Sequence, residues 1–332
     1  MSAETRDALL DAAALDRLSR VCDVDAALLL TGFDGPDSAP GTPLATALRD
    51  TEVLFTGWGC PPLDEEALAR MPRLRAVVHA AGSLKNHMTA AAWARGLTAT
   101  SATAANALPV AEFTVAAVLF ANKGVLLGAH ALRTARARPD LATLLPGIGN
   151  YRRTVGIVGA STIGRRVIEL LRPYDLRVLV NDPYLSAADA DALGATPADL
   201  DQLLRESDVV SVHAPELPET RHLLDERRLA LMRDGTTLVN TARGSLVDTG
   251  ALTRELVAGR LNAVLDVTDP EPLPADSPLY DLPNVLLTPH LAGSLGGELA
   301  RLADFAIDEL ERYADGSGFA HAVRPTALHR SA

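Results

Sequence analysis

Residues 154–172 constrain the fold most strongly, because a short apolar run there passes through a glycine directly into a helical segment. The run TVGIVG at 154–159 fits a buried parallel strand, and IGRRVIELLR at 163–172 fits the helix that follows it. Five similar apolar runs follow at 177–182, 208–213, 236–241, 262–267 and 284–289, with helical segments at 199–206, 225–233 and 248–259. This alternation predicts an α/β fold built on a doubly wound parallel sheet.

The first third of the chain repeats the pattern less regularly. Apolar runs at 25–31, 52–56 and 75–80 fit buried strands, and 63–71 fits a helix. A long apolar helix is predicted after Pro109, through residues 110–133. Near the end of the chain, 297–313 places five apolar residues on one helical face, namely Leu299, Leu302, Phe305, Ala306 and Leu310. We expect this helix to return to the first domain and to be followed by a loose tail at 321–332.

Composition narrows the class of protein. The net charge of -11 argues against a nucleic-acid or anionic-membrane surface, because both need a basic face. The two cysteines, Cys22 and Cys60, lack metal-type spacing and are expected to be free thiols in a reducing compartment. The acidic N-terminus does not resemble a signal peptide, and no apolar stretch looks long enough to span a bilayer. We therefore expect a cytoplasmic enzyme with no metal site and no nucleic-acid or membrane partner.

The glycine turn at 159–164 has the form of a pyrophosphate-binding turn, with Gly159 and Gly164 in place but Ser161 where a third glycine is usual. A helix N-terminus after such a turn attracts phosphate groups. Asp182 ends the next strand, where a carboxylate can accept hydrogen bonds from ribose hydroxyls and repel a 2′-phosphate. NAD is therefore favoured over NADP. A ligand-free βα turn, with Asp182 forming a turn before Pro183, remains the alternative.

The segments 207–252 and 262–294 closely resemble the D-isomer-specific 2-hydroxyacid dehydrogenase family, and the resemblance extends over nearly the whole chain. It implies two Rossmann-like domains with a cleft between them. Residues 1–122 and 295–332 would form a flavodoxin-like substrate-binding domain, and 123–294 would form the NAD-binding domain. The stretch 109–123 looks like the interdomain helix of the family. The family also implies a homodimer, which the apolar helix after Pro109 favours because it needs burial on more than one face.

The resemblance also assigns three catalytic positions: Arg243 in NTARG, Glu271 in DVTDPEP and His290 in TPHLAG. Reduction of a 2-oxo acid needs a proton donor, which a histidine held by a carboxylate can supply. An arginine can bind the carbonyl oxygen and a carboxylate oxygen together. In isolation each residue also has an ordinary structural explanation: a surface arginine, a solvated acid or a core histidine.

The remaining site residues follow from the same resemblance. For NAD we expect the set Gly159, Ser161, Thr162, Ile163, Asp182, His213, Pro215, Thr241, Asp266, His290 and Gly293. For the 2-oxo or 2-hydroxy acid substrate we expect Gly82, Ser83, Leu84, Lys85 and Arg243. Leu84 replaces a usual glycine of the substrate loop, and Asn106 matches a family asparagine. Lys85, flanked by His79 and His87, suggests a substrate with a second anionic group. Arg133 and Arg136 could add positive charge at the mouth of the cleft. The alternative is that Lys85 points to solvent and has no such role.

Two other functions are compatible with this fold. An NAD(H)-sensing regulatory protein would use the fold for partner recognition, although such proteins in the family carry long extensions that are not seen here. A formate dehydrogenase would have glutamine where this chain has Glu271. Oxidation of NADH by a panel of 2-oxo acids distinguishes the first of these from a dehydrogenase.

Overall fold

The computed structural model describes residues 1–25, 28–30, 32–33 and 41–328. The chain forms two compact units. One consists of the described residues of Met1–Asn106 and Ser294–Ser331, and the other is Ala107–Gly293. The division therefore falls after Asn106, whereas the sequence placed it after residue 122. The difference arises because most of the helix Thr103–Asn122 packs into the core of the second unit.

The first unit contains a parallel sheet with the order β1-β2-β3, formed by Val53–Thr56, Ala76–His79 and Thr98–Ser101. Its early helices are α1 (Ala3–Leu9), α2 (Ala12–Val21), α3 (Pro43–Asp50), α4 (Glu65–Arg70) and α5 (Ala90–Ala94). The sequence predicted β1, β2 and α4 but missed β3. The strand predicted at 25–31 lies partly outside the described residues, and 28–30 form no regular element.

The second unit contains α6 (Thr103–Asn122), most of which lies beyond Asn106, and the helices α7 (Val125–Ala135), α8 (Leu141–Leu144), α9 (Thr162–Leu171), α10 (Ala187–Leu193), α11 (Leu200–Glu206), α12 (Glu226–Leu231) and α13 (Thr249–Val257). Short 3-10 helices lie at Pro218–Thr220, Gly244–Leu246 and Pro278–Tyr280. Serine or aspartate side chains cap the N-termini of α9 to α13 by accepting backbone N–H groups.

Its strands are β4 (Thr154–Val158), β5 (Arg177–Asn181), β6 (Thr196–Pro197), β7 (Val209–Val212), β8 (Thr237–Asn240), β9 (Asn262–Leu265) and β10 (Val285–Leu287). They form one parallel sheet in the order β10-β9-β8-β7-β4-β5-β6. The order reverses at β4, as in a doubly wound dinucleotide-binding sheet. Each of the six runs predicted as strands here contains an observed strand, and only β6 was missed.

Helix α6 differs from the predicted helix at both ends. It begins at Thr103, so that Pro109 lies inside it, and it ends at Asn122 instead of continuing to 133. Gly124, at φ +60°, separates it from α7. By length and composition α6 is apolar enough to cross a membrane, contrary to the sequence expectation. In the fold, however, Ala111, Val115 and Val118 are buried in the core cluster that contains β4.

The C-terminal segment belongs to the first unit. After a 3-10 turn at Gly296–Glu298, α14 (Leu299–Ala314) buries Leu302, Ala306 and Leu310 in a cluster with α1 and α2. The expected loose tail is partly ordered, because Val323 N donates to Ala99 O over 2.8 Å and α15 (Pro325–Leu328) follows. Residues 329–332 of that predicted tail lie outside the described residues.

Candidate functional site

The turn between β4 and α9 forces close contact between backbone segments. Gly159 has φ +98°, and a Cβ atom there would lie 2.5 Å from Ala214 N. A Cβ atom on Gly164 would lie 2.1 Å from Gly159 O. Both positions therefore need glycine, for the tight turn and for close packing of the helix against the strand.

This turn offers hydrogen-bond donors for phosphate oxygens. Within the described part of the chain, no hydrogen bond engages the backbone N–H groups of Thr162 and Ile163, which open α9. Ser161 Oγ accepts from Gly164 N over 3.3 Å and so caps the helix, while its own proton stays available for donation. The serine in place of glycine thus preserves the helix N-terminus, and the residues present fit a dinucleotide pyrophosphate.

Asp182 lies just after β5, beside this turn. Its Oδ2 atom accepts from Ala160 N over 2.7 Å, and its Oδ1 atom accepts from Tyr184 N over 2.8 Å. A carboxylate has about four acceptor sites, so both oxygens can still accept from ribose hydroxyls. The aspartate therefore both shapes the turn and presents negative charge beside it.

Three other residues predicted to bind the coenzyme, His213, Thr241 and Asp266, have buried side chains. Burial lowers the pKa of His213 to about 3. Ser211 Oγ lies 2.9 Å from its Nε2 atom, and its buried Nδ1 atom has no hydrogen-bond partner in the part of the chain that the structure describes. The Thr241 hydroxyl pairs with that of Thr114 at 3.0 Å. Asp266 accepts hydrogen bonds from Thr288 Oγ1, Leu291 N and Ala292 N. The hydrogen bond of Thr241 thus stabilises the turn after β8, and those of Asp266 fix the loop after β10. Pro215 and Gly293 lie half-buried in the loops after β7 and β10.

The turn after β8 holds Arg243. Asn240, which is 1 % exposed, donates from Nδ2 to Arg243 O over 2.8 Å and accepts from Ala242 N over 3.1 Å. A Cβ atom on Gly244 would lie 2.0 Å from the carbonyl carbon of Thr268, so this turn packs directly on the backbone after β9. The guanidinium of Arg243, half-buried, donates to Ala242 O over 2.6 Å.

The side chains of His290 and Glu271 form a hydrogen-bonded pair at the same edge of the sheet. The Nδ1 atom of His290 lies 2.7 Å from Glu271 Oε1, and the side chains are 51 % and 45 % exposed. Because Nδ1 faces the carboxylate, Nε2 is the ring atom left for a substrate. His290 has φ +54°, a left-handed conformation uncommon outside glycine, and its N–H lies 3.0 Å from both Asp266 O and Thr288 O.

The loop that carries Glu271 is held at several points. Thr268 Oγ1 donates to Pro270 O over 2.8 Å, and Thr249 Oγ1 donates to Asp269 O over 2.7 Å. Arg221 pairs with the Asp269 carboxylate at 3.2 Å. These supports, together with Asn240, were not predicted from the sequence, since nothing in the local pattern shows which hydroxyl or amide closes a loop.

The predicted substrate loop lies in the first unit, after β2. Leu84, in place of glycine, is 1 % exposed and packs in the core, which anchors the loop. Lys85 N donates to Ser83 Oγ over 3.3 Å, and Thr103 Oγ1 donates to Gly82 O over 2.8 Å. No hydrogen bond within the described residues engages the N–H groups of Ser83 and Leu84. The loop therefore presents two donors suited to a carboxylate.

The two histidines near this loop do not provide the positive charge that the sequence suggested. His79 is 2 % exposed, and its Nδ1 atom lies 2.7 Å from Thr56 Oγ1. Burial, with smaller contributions from His87 and the N-terminal amine, lowers the pKa of His79 to about 3. Burial also lowers the pKa of His87. Both rings are therefore neutral near neutral pH. Arg133 and Arg136 are exposed and lie in the second unit, at the end of α7.

Among the described residues, no group of three or more histidine, cysteine, aspartate or glutamate side chains is placed to hold a metal ion. Asn106, the other residue matched to the family, accepts from Ser294 N over 2.9 Å through its side-chain oxygen. It thereby fixes the start of the segment that returns to the first unit.

Comparison with known proteins identifies the family to which the chain belongs. Residues 115–292 match the family described as "D-isomer specific 2-hydroxyacid dehydrogenase, NAD binding domain". The chain is 34% identical to a glyoxylate reductase of Aeropyrum pernix, over 96% of this chain and 92% of that protein. It resembles the crystal structure of the TT0316 protein of Thermus thermophilus with a TM-score of 0.75 and 32% identity, covering 95% of this chain and 97% of that one.

The chain is also 36% identical to a D-3-phosphoglycerate dehydrogenase of Mycobacterium leprae, over 79% of its own length. The match covers 48% of that protein, so the chain spans about half the length of this relative.

Proposed function

This chain is an NAD-dependent enzyme of the D-isomer-specific 2-hydroxyacid dehydrogenase family, and we propose that it reversibly reduces a 2-oxo acid to the D-2-hydroxy acid. The observation that carries the proposal is the exposed hydrogen-bonded pair of His290 and Glu271. A histidine whose Nδ1 is held by a carboxylate has a fixed ring orientation, with Nε2 turned toward the substrate side. It can give its Nε2 proton to the carbonyl oxygen in reduction and take that proton back in oxidation.

Arg243 is proposed to bind the substrate. Its guanidinium can donate to the carbonyl oxygen and to one carboxylate oxygen at the same time, and it stabilises negative charge that develops on the carbonyl oxygen. Asn240 and the close packing at Gly244 support this role, because they fix the turn from which the side chain projects.

Bound NADH supplies the hydride. Thr162 and Ile163 are proposed to bind its pyrophosphate through their backbone N–H groups, with Ser161 donating its hydroxyl proton. Asp182 is proposed to bind the adenosine ribose. Gly159 permits the close turn, while the buried side chains of His213, Thr241 and Asp266 are proposed to support the coenzyme site from within the fold.

For the substrate, we propose a small 2-oxo acid, with glyoxylate as the first to be tested. The relative that matches over nearly its full length is named for glyoxylate reduction. The free N–H groups of Ser83 and Leu84 suit one carboxylate. Neutral His79 and His87 add no charge for a second anionic group.

A second candidate is a 2-oxo acid that carries another carboxylate, phosphate or phosphonate. The presence of Lys85 in this loop favours it, since a lysine adds positive charge beside the N–H groups of Ser83 and Leu84. Replacement of this lysine in Lys85→Met would then selectively lower kcat/KM for hydroxypyruvate phosphate and oxaloacetate. If the ranking of substrates does not change in this variant, Lys85 has no part in recognising a second anion.

The test of the proposed function is NADH oxidation with glyoxylate, pyruvate, 2-oxoisocaproate, oxaloacetate and hydroxypyruvate phosphate, followed by chiral analysis of the product. A D-2-hydroxy acid as product supports the proposal. An L product, or NADH binding without turnover of any acid in the panel, contradicts it. The latter result would favour the alternative of an NAD(H)-sensing regulatory protein on the same fold.

We also propose that the enzyme is a cytoplasmic homodimer that uses α6, α7 and α8 as its interface. No residue of α7 is buried, although the helix contains Val125, Leu126, Leu127 and Leu132. The exposed large apolar side chains between residues 120 and 151 are Phe120, Leu132, Leu141, Leu144, Ile148 and Tyr151. Such a concentration of apolar surface is typical of a homodimer interface. Cys22 and Cys60 are free thiols, which suits a reducing compartment.

A further inference from the structure

The turn that carries Arg243 is bonded to the loop after β7 by a side-chain contact and two backbone contacts. Ser245 Oγ donates to the carboxylate of Glu216. His222 N donates to Ser245 O over 2.8 Å, and Leu224 N donates to Leu246 O over 3.0 Å. The side-chain contact is unusual because Ser245 is only 6 % exposed, while Glu216 lies at the surface.

This hydrogen bond joins two parts of the proposed site. Glu216 directly follows Pro215 in the loop that begins at His213. His213 itself packs against the turn between β4 and α9, which is proposed to bind the coenzyme. Ser245 lies two residues after Arg243, inside the 3-10 turn Gly244–Leu246. Asn240 fixes one side of this turn. Glu216 adds the side-chain contact on the side that faces the loop after β7, beside the two backbone hydrogen bonds.

We propose that Glu216 and Ser245 are positioning residues that couple coenzyme binding to recognition of the 2-oxo acid by Arg243. The inference rests on the proposed function. The loop that begins beside the turn between β4 and α9 holds the Ser245 hydroxyl through Glu216, and the turn at Gly244–Leu246 then holds Arg243 ready for the carboxylate of the acid. In coupling of this kind, each ligand makes the binding free energy of the other more favourable. Loss of the contact therefore weakens binding of the acid mainly when coenzyme is present.

The experiment uses oxamate, an unreactive analogue of a 2-oxo acid, with the full-length enzyme. Its inhibition constant with saturating NADH is measured for Glu216→Ala, Ser245→Ala and the double variant. We expect each single variant to raise this constant about fivefold, the value of one net hydrogen bond. The double variant should raise it no further, because both changes remove the same contact. The dissociation constant of NADH alone should stay within about twofold of that of the unaltered enzyme in each variant.

Two further variants separate positioning from charge and from general stability. Glu216→Gln keeps an oxygen that can accept the serine proton, so it should restore most of the oxamate affinity. Glu226→Ala is the matched control, because this exposed glutamate of α12 pairs with Arg254 of α13 at 3.1 Å and takes no part in the site. Amide hydrogen exchange of the ligand-free enzyme should become faster at 243–247 in Glu216→Ala and Ser245→Ala, but not in Glu226→Ala.

Additive effects in the double variant, unchanged oxamate inhibition, or a loss confined to NADH affinity would each overturn the coupling. Failure of the proposed function looks different: the unaltered enzyme would then reduce no 2-oxo acid and bind no oxamate. Unchanged hydrogen exchange at 243–247 in both alanine variants would also overturn the positioning role, whether or not the enzyme reduces a 2-oxo acid.

Discussion

His290 Nδ1 lies 2.7 Å from Glu271 Oε1, and the two residues stand in turns that follow the adjacent strands β10 and β9. The left-handed backbone of His290 costs free energy, of the order of 1 kcal/mol for a residue with a Cβ atom. Asp266 offsets this cost, because it accepts hydrogen bonds from both Leu291 N and Ala292 N immediately after the histidine. The strain is thus located at the residue for which we propose the proton transfer.

Replacement of the histidine in His290→Ala is expected to lower kcat by at least about a hundredfold, because it removes the proton donor. The affinity for NADH, measured by the fluorescence of the bound coenzyme, should change little. Glu271→Gln should be less damaging, since the amide oxygen can still accept from Nδ1 while the charge is lost. Near-normal turnover by His290→Ala on the best substrate would remove the histidine from the mechanism.

Replacement of the arginine in Arg243→Lys is expected to lower kcat/KM by about a hundredfold or more, because an ammonium group cannot form the paired contact with carbonyl and carboxylate oxygens. Arg254→Lys is the matched control, as this arginine lies on α13 in an exposed ion pair with Glu226. Steady-state kinetics of both variants provide the comparison. Equal, small effects in the two variants would show that the paired contact is not needed.

Much of this organisation could be predicted from the sequence, because buried strands and amphipathic helices leave clear periodic patterns. The six predicted strands of the second unit each contain an observed strand for this reason. The family motifs around Arg243, Glu271 and His290 lie after β8, β9 and β10, so their clustering at one sheet edge follows from topology.

Other features depend on tertiary contacts that no local pattern reveals. Pro109 suggested a helix start, yet α6 begins six residues earlier at Thr103. Leu84 replaces a usual glycine of the substrate loop, and only the structure shows that its side chain is buried and anchors that loop. The position of His79 near Lys85 in the sequence suggested a positive charge at the site. In the fold, its ring is buried beside Thr56 and His87. In each case packing against residues distant in sequence decides the outcome.

We expect kcat/KM with NADH to exceed that with NADPH by at least about tenfold, a difference of about 1.4 kcal/mol. The reason is repulsion between the Asp182 carboxylate and a 2′-phosphate. Asp182→Asn should reduce the ratio of kcat/KM with NADH to kcat/KM with NADPH. Asp191→Asn, which replaces an exposed aspartate on α10, should leave this ratio unchanged. Better use of NADPH than of NADH by the unaltered enzyme would contradict the role of this carboxylate.

Light scattering at micromolar concentration should give the mass of two 35.0 kDa chains. Leu132→Glu should yield a monomer, because it puts a charge in the proposed interface on α7, where Leu132 is 52% exposed. Val257→Glu is the control, since this valine is similarly exposed, at 56%, at the end of α13. A monomeric unaltered enzyme, or dissociation by Val257→Glu but not by Leu132→Glu, would rule out this interface.

The first unit should lose stability in acid because of His79. Its pKa is lowered to about 3 in the fold, so the unfolded chain binds a proton that the folded chain excludes between about pH 6.5 and pH 3. Its contribution to stability is therefore complete above about pH 6.5 and falls by up to about 1.4 kcal/mol per pH unit as the solution is acidified. His87, whose pKa is also lowered, acts in the same direction.

The chain's two tryptophans, Trp58 and Trp93, lie in this unit, so their fluorescence during urea unfolding reports its stability. His79→Asn can keep a hydrogen bond to the Thr56 hydroxyl without the titrating ring. We expect it to be less stable near neutral pH but to show a smaller decrease on acidification. His130→Asn, at an exposed position on α7 in the other unit, should behave like the unaltered enzyme. If His79→Asn and the unaltered enzyme lose stability equally between about pH 7 and pH 5, protonation of His79 does not drive the acid unfolding of this unit.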